Sequence, residues 1–249
     1  MTPHGAWLID LDGVVWLSGH PIDGSVEAIE LLRSHDVPLL FVTNNSAPTT
    51  NQLLNRLLRA GIAATANEVV TAAQAAASLI PSSGRAVCIA DGGVREALEM
   101  RQITIVDEGE ADAVVVGWTT TFSYDTLAKA ATAVRSGAMF IGTNADPTHP
   151  TPDGLMPGTG AIIAAVEVAS GTSAVYAGKP GEAMASLVNS RLEAIAMVVG
   201  DQIATDGAFA DRLGVDFTLV LSGVDKSVPT GVKSADRLST AVSQWLAAQ

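Results

Sequence analysis

The stretch WLIDLDG, residues 7–13, places two aspartates directly after a short apolar run. The run at residues 6–9 predicts a buried strand that ends at Asp10. Two later stretches repeat the arrangement, FVTNN at residues 41–45 and MVVGDQIATD at residues 197–206. Ligands gather at the carboxyl ends of the strands in an open parallel sheet. If the three strands are neighbours, the polar residues that follow them form one site.

The apolar spacing around these stretches predicts an α/β protein. Strands at residues 6–9 and 38–42 alternate with helices at residues 25–34 and 49–60, and Ser25 is the expected cap of the first helix. Such alternation requires right-handed crossovers and a parallel sheet. The remaining predicted strands are residues 86–90, 103–106, 113–117, 138–141, 194–199 and 217–221. The remaining predicted helices are residues 92–100, 123–135, 159–169, 184–191 and 204–213, with a last helix from residue 234.

The two ends of the chain share one pattern, and the middle follows another. This predicts a doubly wound parallel-sheet core at residues 1–74 and 175–249, interrupted by an inserted α/β cap domain at residues 75–174. Within the cap, residues 142–158 are rich in Pro, Thr, Asp and Gly and predict a long loop. A loop of this length in a compact domain is more often functional than idle.

Composition narrows the classes of partner. Hydrophobic residues make up 48% of the 249, which supports a sizeable core and excludes wholesale disorder. The net charge is −12, without a basic cluster, so neither nucleic acid nor an anionic membrane is an expected partner.

Cys88 is the only cysteine, which excludes an intrachain disulfide. Without a signal peptide or an apolar stretch of about 20 residues, the expected location is the cytoplasm.

The residue types at the strand ends point to phosphoryl transfer. Carboxylates of Asp10, Asp12 and Asp201, if close together, would repel one another unless a cation lay among them. Oxygen ligands without His or Cys suit Mg²⁺, which also binds phosphate oxygens. A carboxylate can attack phosphorus, and the hydroxyl of Thr43 can hold phosphate oxygens. Lys179, after a short apolar run, is the expected neutralising cation.

The polar stretches also resemble a known family. In order, DLDGVV at residues 10–15, TNNS at 43–46, GKP at 178–180 and GDQIATD at 200–206 are similar to the four motifs of the haloacid dehalogenase superfamily. The resemblance is closer to its NagD-like, para-nitrophenylphosphatase branch, which carries a C2-type α/β cap between the second and third motifs. Residues 140–171 and the run LVLSGV at 219–224 also resemble that branch.

The resemblance implies a role for each motif residue. Asp10 would be the nucleophile that becomes phosphorylated, and Asp12 the general acid and base. Thr43 and Asn44, with Asn45, would bind the substrate phosphoryl group, and Lys179 would neutralise its charge. The expected ligands of Mg²⁺ are Asp10, the carbonyl of Asp12 and Asp201. The resemblance assigns Asp206 to a supporting position, acting through a water molecule or by orienting the site.

The predicted function is therefore hydrolysis of small phosphomonoesters by a Mg²⁺-dependent phosphatase through a covalent aspartyl-phosphate. Glycerol phosphate, phosphoglycolate, sugar phosphates, nucleotides and pyridoxal phosphate all remain open as substrates. Members of the branch often form dimers through the cap, so the resemblance allows a homodimer. The alternatives are a phosphotransferase or phosphomutase on the same core, a receiver-like signalling domain, and a non-catalytic metabolite-binding α/β protein.

Overall fold

The computed structural model describes residues 5–17, 19–151 and 154–248. In chain order, its strands are β1 Ala6–Ile9, β2 Trp16–Leu17, β3 His20–Pro21, β4 Leu39–Thr43, β5 Val69–Thr71, β6 Arg85–Ile89, β7 Thr104–Val106, β8 Ala113–Val116, β9 Met139–Gly142, β10 Thr148–Thr151, β11 Gly154–Pro157, β12 Val175–Tyr176, β13 Ile195–Gly200, β14 Asp216–Val220 and β15 Lys233–Ala235. Its helices are α1 Ser25–Ser34, α2 Thr50–Arg59, α3 Ala72–Ser78, α4 Gly92–Met100, α5 Tyr124–Arg135, α6 Thr159–Ser170, α7 Glu182–Asn189, α8 Ala208–Leu213 and α9 Leu238–Leu246.

By its contacts the chain divides into two units. The first unit comprises Met1–Thr43, Asn51–Val70 and Ala185–Gln249, and the second comprises Asn44–Thr50 and Thr71–Met184. The second unit therefore includes residues on both sides of the predicted cap limits. The domain limits predicted from the motifs stay a prediction.

The first unit is built on a six-stranded sheet in the order β15-β14-β13-β1-β4-β5. Strand β1 is parallel to both of its neighbours, β13 and β4. All four residues of β1 and all five of β4 are buried, as expected for strands covered on both faces. Trp7, Ile9 and Phe41 lie in the buried apolar cluster of this unit. Each such side chain contributes about 1.5–3 kcal/mol to the free energy of unfolding.

The second unit has its own five-stranded sheet in the order β12-β9-β8-β6-β7, with parallel pairing throughout. Val114, Val116 and Phe140 of this sheet form a buried cluster with Ile163 and Val166 of α6. Aliphatic side chains thus supply most of the packing in this cluster, in a chain that has only 4% aromatic residues. The predicted fold class, a parallel α/β protein, is confirmed.

Three local predictions are wrong. Gly24, at φ 80°, takes the N-cap position of α1, and the Ser25 hydroxyl donates instead to the Val15 carbonyl. Within the predicted loop at 142–158, β10 and β11 pair as an antiparallel ribbon, in which proline is tolerated because the ribbon has free edges. The tail begins with the short edge strand β15, and its helix starts only at Leu238.

None of the described helices combines the length and the apolar character that crossing a membrane demands.

Candidate active site

Three aspartates of the first unit meet at the carboxyl end of its sheet. Asp10 follows β1, Asp201 follows the adjacent strand β13, and Asp206 lies in the π-helical turn Ile203–Gly207 that follows. One carboxylate oxygen of each lies within 4.8 Å of the others. The three residues are only 9%, 6% and 1% exposed, respectively. Adjacent parallel strands and a tight turn therefore bring three acidic side chains together at a site that is largely excluded from solvent.

Two glycines make room for the carboxylate of Asp201. A Cβ atom on Gly13 or on Gly223 would overlap the Asp201 side chain. Gly13 also has a φ of +84°, a backbone conformation that favours glycine. The backbone N–H of Val224 donates to Asp201 Oδ2 at 2.7 Å. The loop after β14 thus fixes the orientation of this carboxylate.

The Asp206 carboxylate is held by its own turn. Its Oδ2 accepts hydrogen bonds from the backbone N–H of Gln202 at 3.2 Å and from the Thr205 hydroxyl at 3.3 Å. A Cβ atom on Gly200 would overlap the Asp206 side chain, so glycine at that position lets the turn close. The sequence resemblance assigned Asp206 a supporting position, and the structure puts its carboxylate in the same group as Asp10 and Asp201.

This group fits a divalent cation. Three carboxylates in a buried, low-dielectric place destabilise one another unless a positive charge lies among them. The group contains only oxygen donors, which are the ligands that Mg²⁺ and Ca²⁺ prefer. The chemistry of the donors therefore agrees with the Mg²⁺ that the sequence predicts.

Asp12 lies in the loop that leads from β1 to β2. The backbone N–H of Gly13 donates to the Trp16 carbonyl at 2.7 Å, which closes this loop on itself. The indole Nε1–H of Trp16 donates to Asp12 Oδ1 at 2.9 Å. Asp12 is exposed to solvent, whereas Trp16 is only 2% exposed. An accessible carboxylate, held by a buried donor, is suited to proton transfer.

Thr43 is the last residue of β4, the other neighbour of β1 in the sheet. It is 2% exposed. Its position at the same edge as Asp10 agrees with the prediction that polar residues after these strands share one site.

In the second unit, the Asn44 side chain holds the Lys179 backbone through two hydrogen bonds, which we call the Asn44 clamp. The Lys179 backbone N–H donates to Asn44 Oδ1 at 2.7 Å, and Asn44 Nδ2 donates to the Lys179 carbonyl at 3.0 Å. The side-chain amide of Asn144 donates in turn to the Asn44 carbonyl at 2.9 Å. A Cβ atom on Gly178 would come within 2.5 Å of Asn44 Oδ1, so glycine there allows the close approach. The Asn44 side chain is thus occupied in holding the lysine.

Asn45 has a local role in the same unit. Its Oδ1 accepts a hydrogen bond from the Ala47 backbone N–H at 3.2 Å, an Asx-type turn. Lys179 itself is only 6% exposed. Of the four predicted substrate-binding residues, Asn44, Asn45 and Lys179 lie in the second unit, where hydrogen bonds join Asn44 to Lys179.

Sequence reasoning missed three contributors to these arrangements. Trp16, Val224 and Asn144 each make a hydrogen bond to a predicted site residue. Trp16 is four residues after Asp12, and that spacing is the only local signal for its contact. Val224 and Asn144 act through fold-level proximity, which no spacing in the chain reveals.

Two family models match the chain. The first, described as haloacid dehalogenase-like hydrolase, matches residues 7–104. The second, described as HAD-hydrolase-like, matches residues 176–244. Together they include the four motifs on which the sequence resemblance rests.

Two of the similar proteins that follow have phosphatase names. The chain is 36% identical over 231 residues to an acid sugar phosphatase of Staphylococcus haemolyticus, covering 90% of this chain and 88% of that one. A glycerol phosphate phosphatase of Mycobacterium tuberculosis, solved with magnesium, superposes with a TM-score of 0.87 at 32% identity, covering 96% of this chain and 76% of that one. NagD from Escherichia coli K-12 superposes with a TM-score of 0.86 at 29% identity, covering 94% and 97%.

Proposed function

The chain belongs to the haloacid dehalogenase-like hydrolase family, among its NagD-like phosphatases, and we propose that it hydrolyses small phosphomonoesters through a phosphorylated Asp10. The observation that carries the proposal is the group of Asp10, Asp201 and Asp206 carboxylates at the end of β1 and β13. Such a group costs stability without a cation, and with one it can bind a phosphate ester beside a nucleophile.

In the first step, a carboxylate oxygen of Asp10 attacks phosphorus, and the bond from phosphorus to the ester oxygen breaks. The carboxyl group of Asp12 gives its proton to the departing oxygen, so the alcohol leaves neutral. In the second step, the Asp12 carboxylate takes a proton from water, and that water attacks phosphorus. Inorganic phosphate leaves, and Asp10 returns to its starting form. Support for this division comes from the buried position of Asp10 and the exposed one of Asp12.

The proposed ligands of Mg²⁺ are the carboxylates of Asp10 and Asp201 and the carbonyl of Asp12, with Asp206 supporting them. When bound, the ion offsets the charge of the carboxylates and of the phosphate oxygens. The Val224 N–H orients the Asp201 carboxylate before any ligand binds, and the Asp10 backbone is held by its N–H hydrogen bond to the Val199 carbonyl at 2.9 Å. Such pre-organisation lowers the cost of binding.

We assign phosphate binding to four residues. These are the Thr43 hydroxyl, the Asn44 backbone, Asn45 and the side chain of Lys179. Thr43 offers a hydroxyl at the end of β4, and Lys179 offers the positive charge that a trianionic transition state needs. The clamp by Asn44 supports the role of Lys179, because a long side chain binds better when its backbone is fixed. The inserted domain at residues 75–174 is proposed as the cap that excludes water from the reaction.

The substrate class is a small phosphate ester of the kind that the relatives' names indicate, sugar phosphate or glycerol phosphate. The proposal is tested by phosphate release from a panel of sugar phosphates, glycerol phosphates, phosphoglycolate, nucleotides and pyridoxal phosphate with Mg²⁺. Wild type should turn over at least one of them, and Asp10→Asn should lose at least about 10⁴-fold in kcat.

The matched control is Asp125→Asn, which removes an exposed carboxylate paired with Lys129 on α5. It should keep the wild-type rate, because an exposed ion pair contributes little to stability. Turnover by Asp10→Asn close to that of the control would refute the covalent step. A wild type that transfers the phosphoryl group only to an added alcohol, and never to water, would identify a phosphotransferase instead.

A further inference from the structure

Trp16 is a buried residue with a polar atom aimed at a site residue. Its side chain belongs to the apolar cluster of the first unit, and the residue is 2% exposed. Its indole Nε1–H nevertheless donates to Asp12 Oδ1 at 2.9 Å. Apolar burial alone would be satisfied by phenylalanine or leucine, so burial does not account for this hydrogen bond to a site residue.

The surrounding backbone holds this donor in place. The N–H groups of Val15 and Trp16 both donate to the Leu11 carbonyl, at 2.9 and 3.1 Å. On the indole face, the Arg56 guanidinium carbon lies 4.9 Å from the ring centroid, which is cation–π distance. The ring is therefore fixed by its burial, by the loop backbone and by Arg56.

The indole N–H is a donor that cannot accept a hydrogen bond. Asp12 Oδ1, because it faces this donor, must offer a lone pair to it and cannot carry a proton directed there. A proton on the Asp12 carboxyl group is therefore assigned to Oδ2. We propose that Trp16 is a positioning residue for Asp12, and that its indole N–H reserves Oδ2 as the atom that exchanges a proton with the leaving group and with water.

This inference rests on the proposed function, in which Asp12 is the general acid and base. When the bond from phosphorus to the leaving oxygen breaks, the proton on Oδ2 moves to that oxygen and both carboxylate oxygens become acceptors. When water attacks the phosphorylated Asp10, Oδ2 takes one proton from it. Oδ1 keeps its indole hydrogen bond through both steps, so the carboxyl group does not have to rotate between them.

Trp7 is a matched comparison within the same unit. It is fully buried in the same apolar cluster, and its Nε1 has no hydrogen-bond partner among the described residues. Its ring packs edge-on against Trp245 at a centroid distance of 5.3 Å. Replacing either tryptophan by phenylalanine removes a buried indole, but only Trp16→Phe removes a hydrogen bond to a site residue.

The test compares kcat/KM of Trp16→Phe and Trp7→Phe for two esters of similar shape, phenyl phosphate and p-nitrophenyl phosphate. This quantity covers the steps up to departure of the leaving group. Phenolate leaves slowly unless it is protonated, whereas p-nitrophenolate leaves readily without a proton. Trp16→Phe should lower the ratio of kcat/KM for phenyl phosphate to kcat/KM for p-nitrophenyl phosphate about 10-fold, which is the effect of one hydrogen bond to a charged group. Trp7→Phe should keep the wild-type ratio.

Each result decides between the two proposals. A wild type that hydrolyses neither these two esters nor any compound of the substrate panel contradicts the proposed function itself. A wild type that hydrolyses panel compounds only is tested in the same way, with the ratio of kcat/KM taken between two of its substrates whose leaving alcohols differ in acidity. A wild type that hydrolyses both, with an unchanged ratio in Trp16→Phe, overturns the role of Trp16 and leaves the function standing. A wild type that hydrolyses only the p-nitrophenyl ester also overturns it, since Asp12 then supplies no proton.

If Trp16→Phe does not fold, 3-benzothienylalanine placed at residue 16 by stop-codon suppression keeps the ring shape and replaces N–H by sulfur. The same 10-fold change in the ratio is expected there, and its absence overturns the proposal.

Discussion

The two parallel sheets of this protein have the same construction and different edges. In the sheet of the first unit, β1 leads into Asp10, β4 ends in Thr43 and β13 leads into Asp201. In the sheet of the second unit, the central strands β6, β8 and β9 lead into Ala90, Gly117 and Thr143. The order of parallel strands creates a binding edge in both, but only acidic residues at that edge create a metal site.

Polar residues that follow the strands of the second sheet form neutral hydrogen bonds. The hydroxyls of Ser46 and Thr143 lie 2.9 Å apart, and Asn144 donates to the Asn44 carbonyl. In the first unit, by contrast, buried like charges are crowded together. One edge is therefore built for stability and positioning, while the other is electrostatically strained until a cation neutralises it.

The largest expected effect on activity and stability comes from removing one carboxylate from the group of Asp10, Asp201 and Asp206. Asp201→Asn removes one of three crowded charges. We therefore expect the free energy of unfolding of the metal-free variant to exceed that of metal-free wild type by on the order of 1 kcal/mol, and the variant to unfold at a higher temperature. With Mg²⁺ the order should reverse, because wild type gains about 2.7 kcal/mol at 100 times its Kd. Phosphatase activity should fall at least about 10³-fold in the variant. Thermal unfolding with and without Mg²⁺ measures the first two effects.

Chelation supplies the control for this prediction. Chelator should abolish the activity of wild type and of Asp125→Asn alike, and Mg²⁺ should restore both. Equal melting temperatures for wild type with and without Mg²⁺, together with full activity in chelator, would contradict the assignment of the three carboxylates to a cation.

A smaller effect is expected at the clamp in the second unit. Asn44→Ala removes both hydrogen bonds to the Lys179 backbone, and two such bonds correspond to a loss of about 10- to 100-fold in kcat/KM. Asn144→Ala removes only the bond to the Asn44 carbonyl and should lose about 3- to 10-fold. Steady-state kinetics on the best substrate of the panel measures both.

Asn189→Ala, at the exposed end of α7, is the matched control and should keep wild-type kinetics. Equal rates for Asn44→Ala and Asn189→Ala would show that Lys179 does not depend on the clamp.

The sequence predicts most of the site's framework and little of its support. Strand β1 has the predicted bounds, because a four-residue apolar run ended by aspartate has one interpretation. Asp10 and Asp201 meet as expected, because the carboxyl ends of neighbouring parallel strands coincide. The Asn44 side chain, by contrast, binds a backbone segment 135 residues away, and no local pattern encodes that contact.

Local rules also fail where backbone conformation decides. Ser25 has the chemistry of a helix cap, but Gly24 adopts the left-handed conformation at that position and the Ser25 hydroxyl finds a buried carbonyl. Prolines at residues 150 and 157 indicate a loop, yet an isolated two-stranded ribbon can accommodate them at its edges. Local propensity is thus overridden by backbone conformation and strand pairing at both places.

The smallest effect on activity is predicted for modification of the only thiol, Cys88, which lies in the second sheet. Burial raises the pKa of Cys88 on β6 to about 11, against an opposing influence of Arg95. At pH 8 its thiolate fraction is on the order of 10²-fold below that of an ordinary thiol, so iodoacetamide should modify the native protein at least about 10²-fold more slowly than the unfolded chain. The double variant Cys88→Ala/Met100→Cys, with the new thiol at an exposed position on α4, should react at the unfolded rate. Phosphatase activity should stay unchanged during native labelling, because Cys88 lies on β6 and is not among the residues assigned to the site. Rapid labelling of native Cys88 with parallel loss of turnover would contradict both the burial of this thiol and its separation from the reaction.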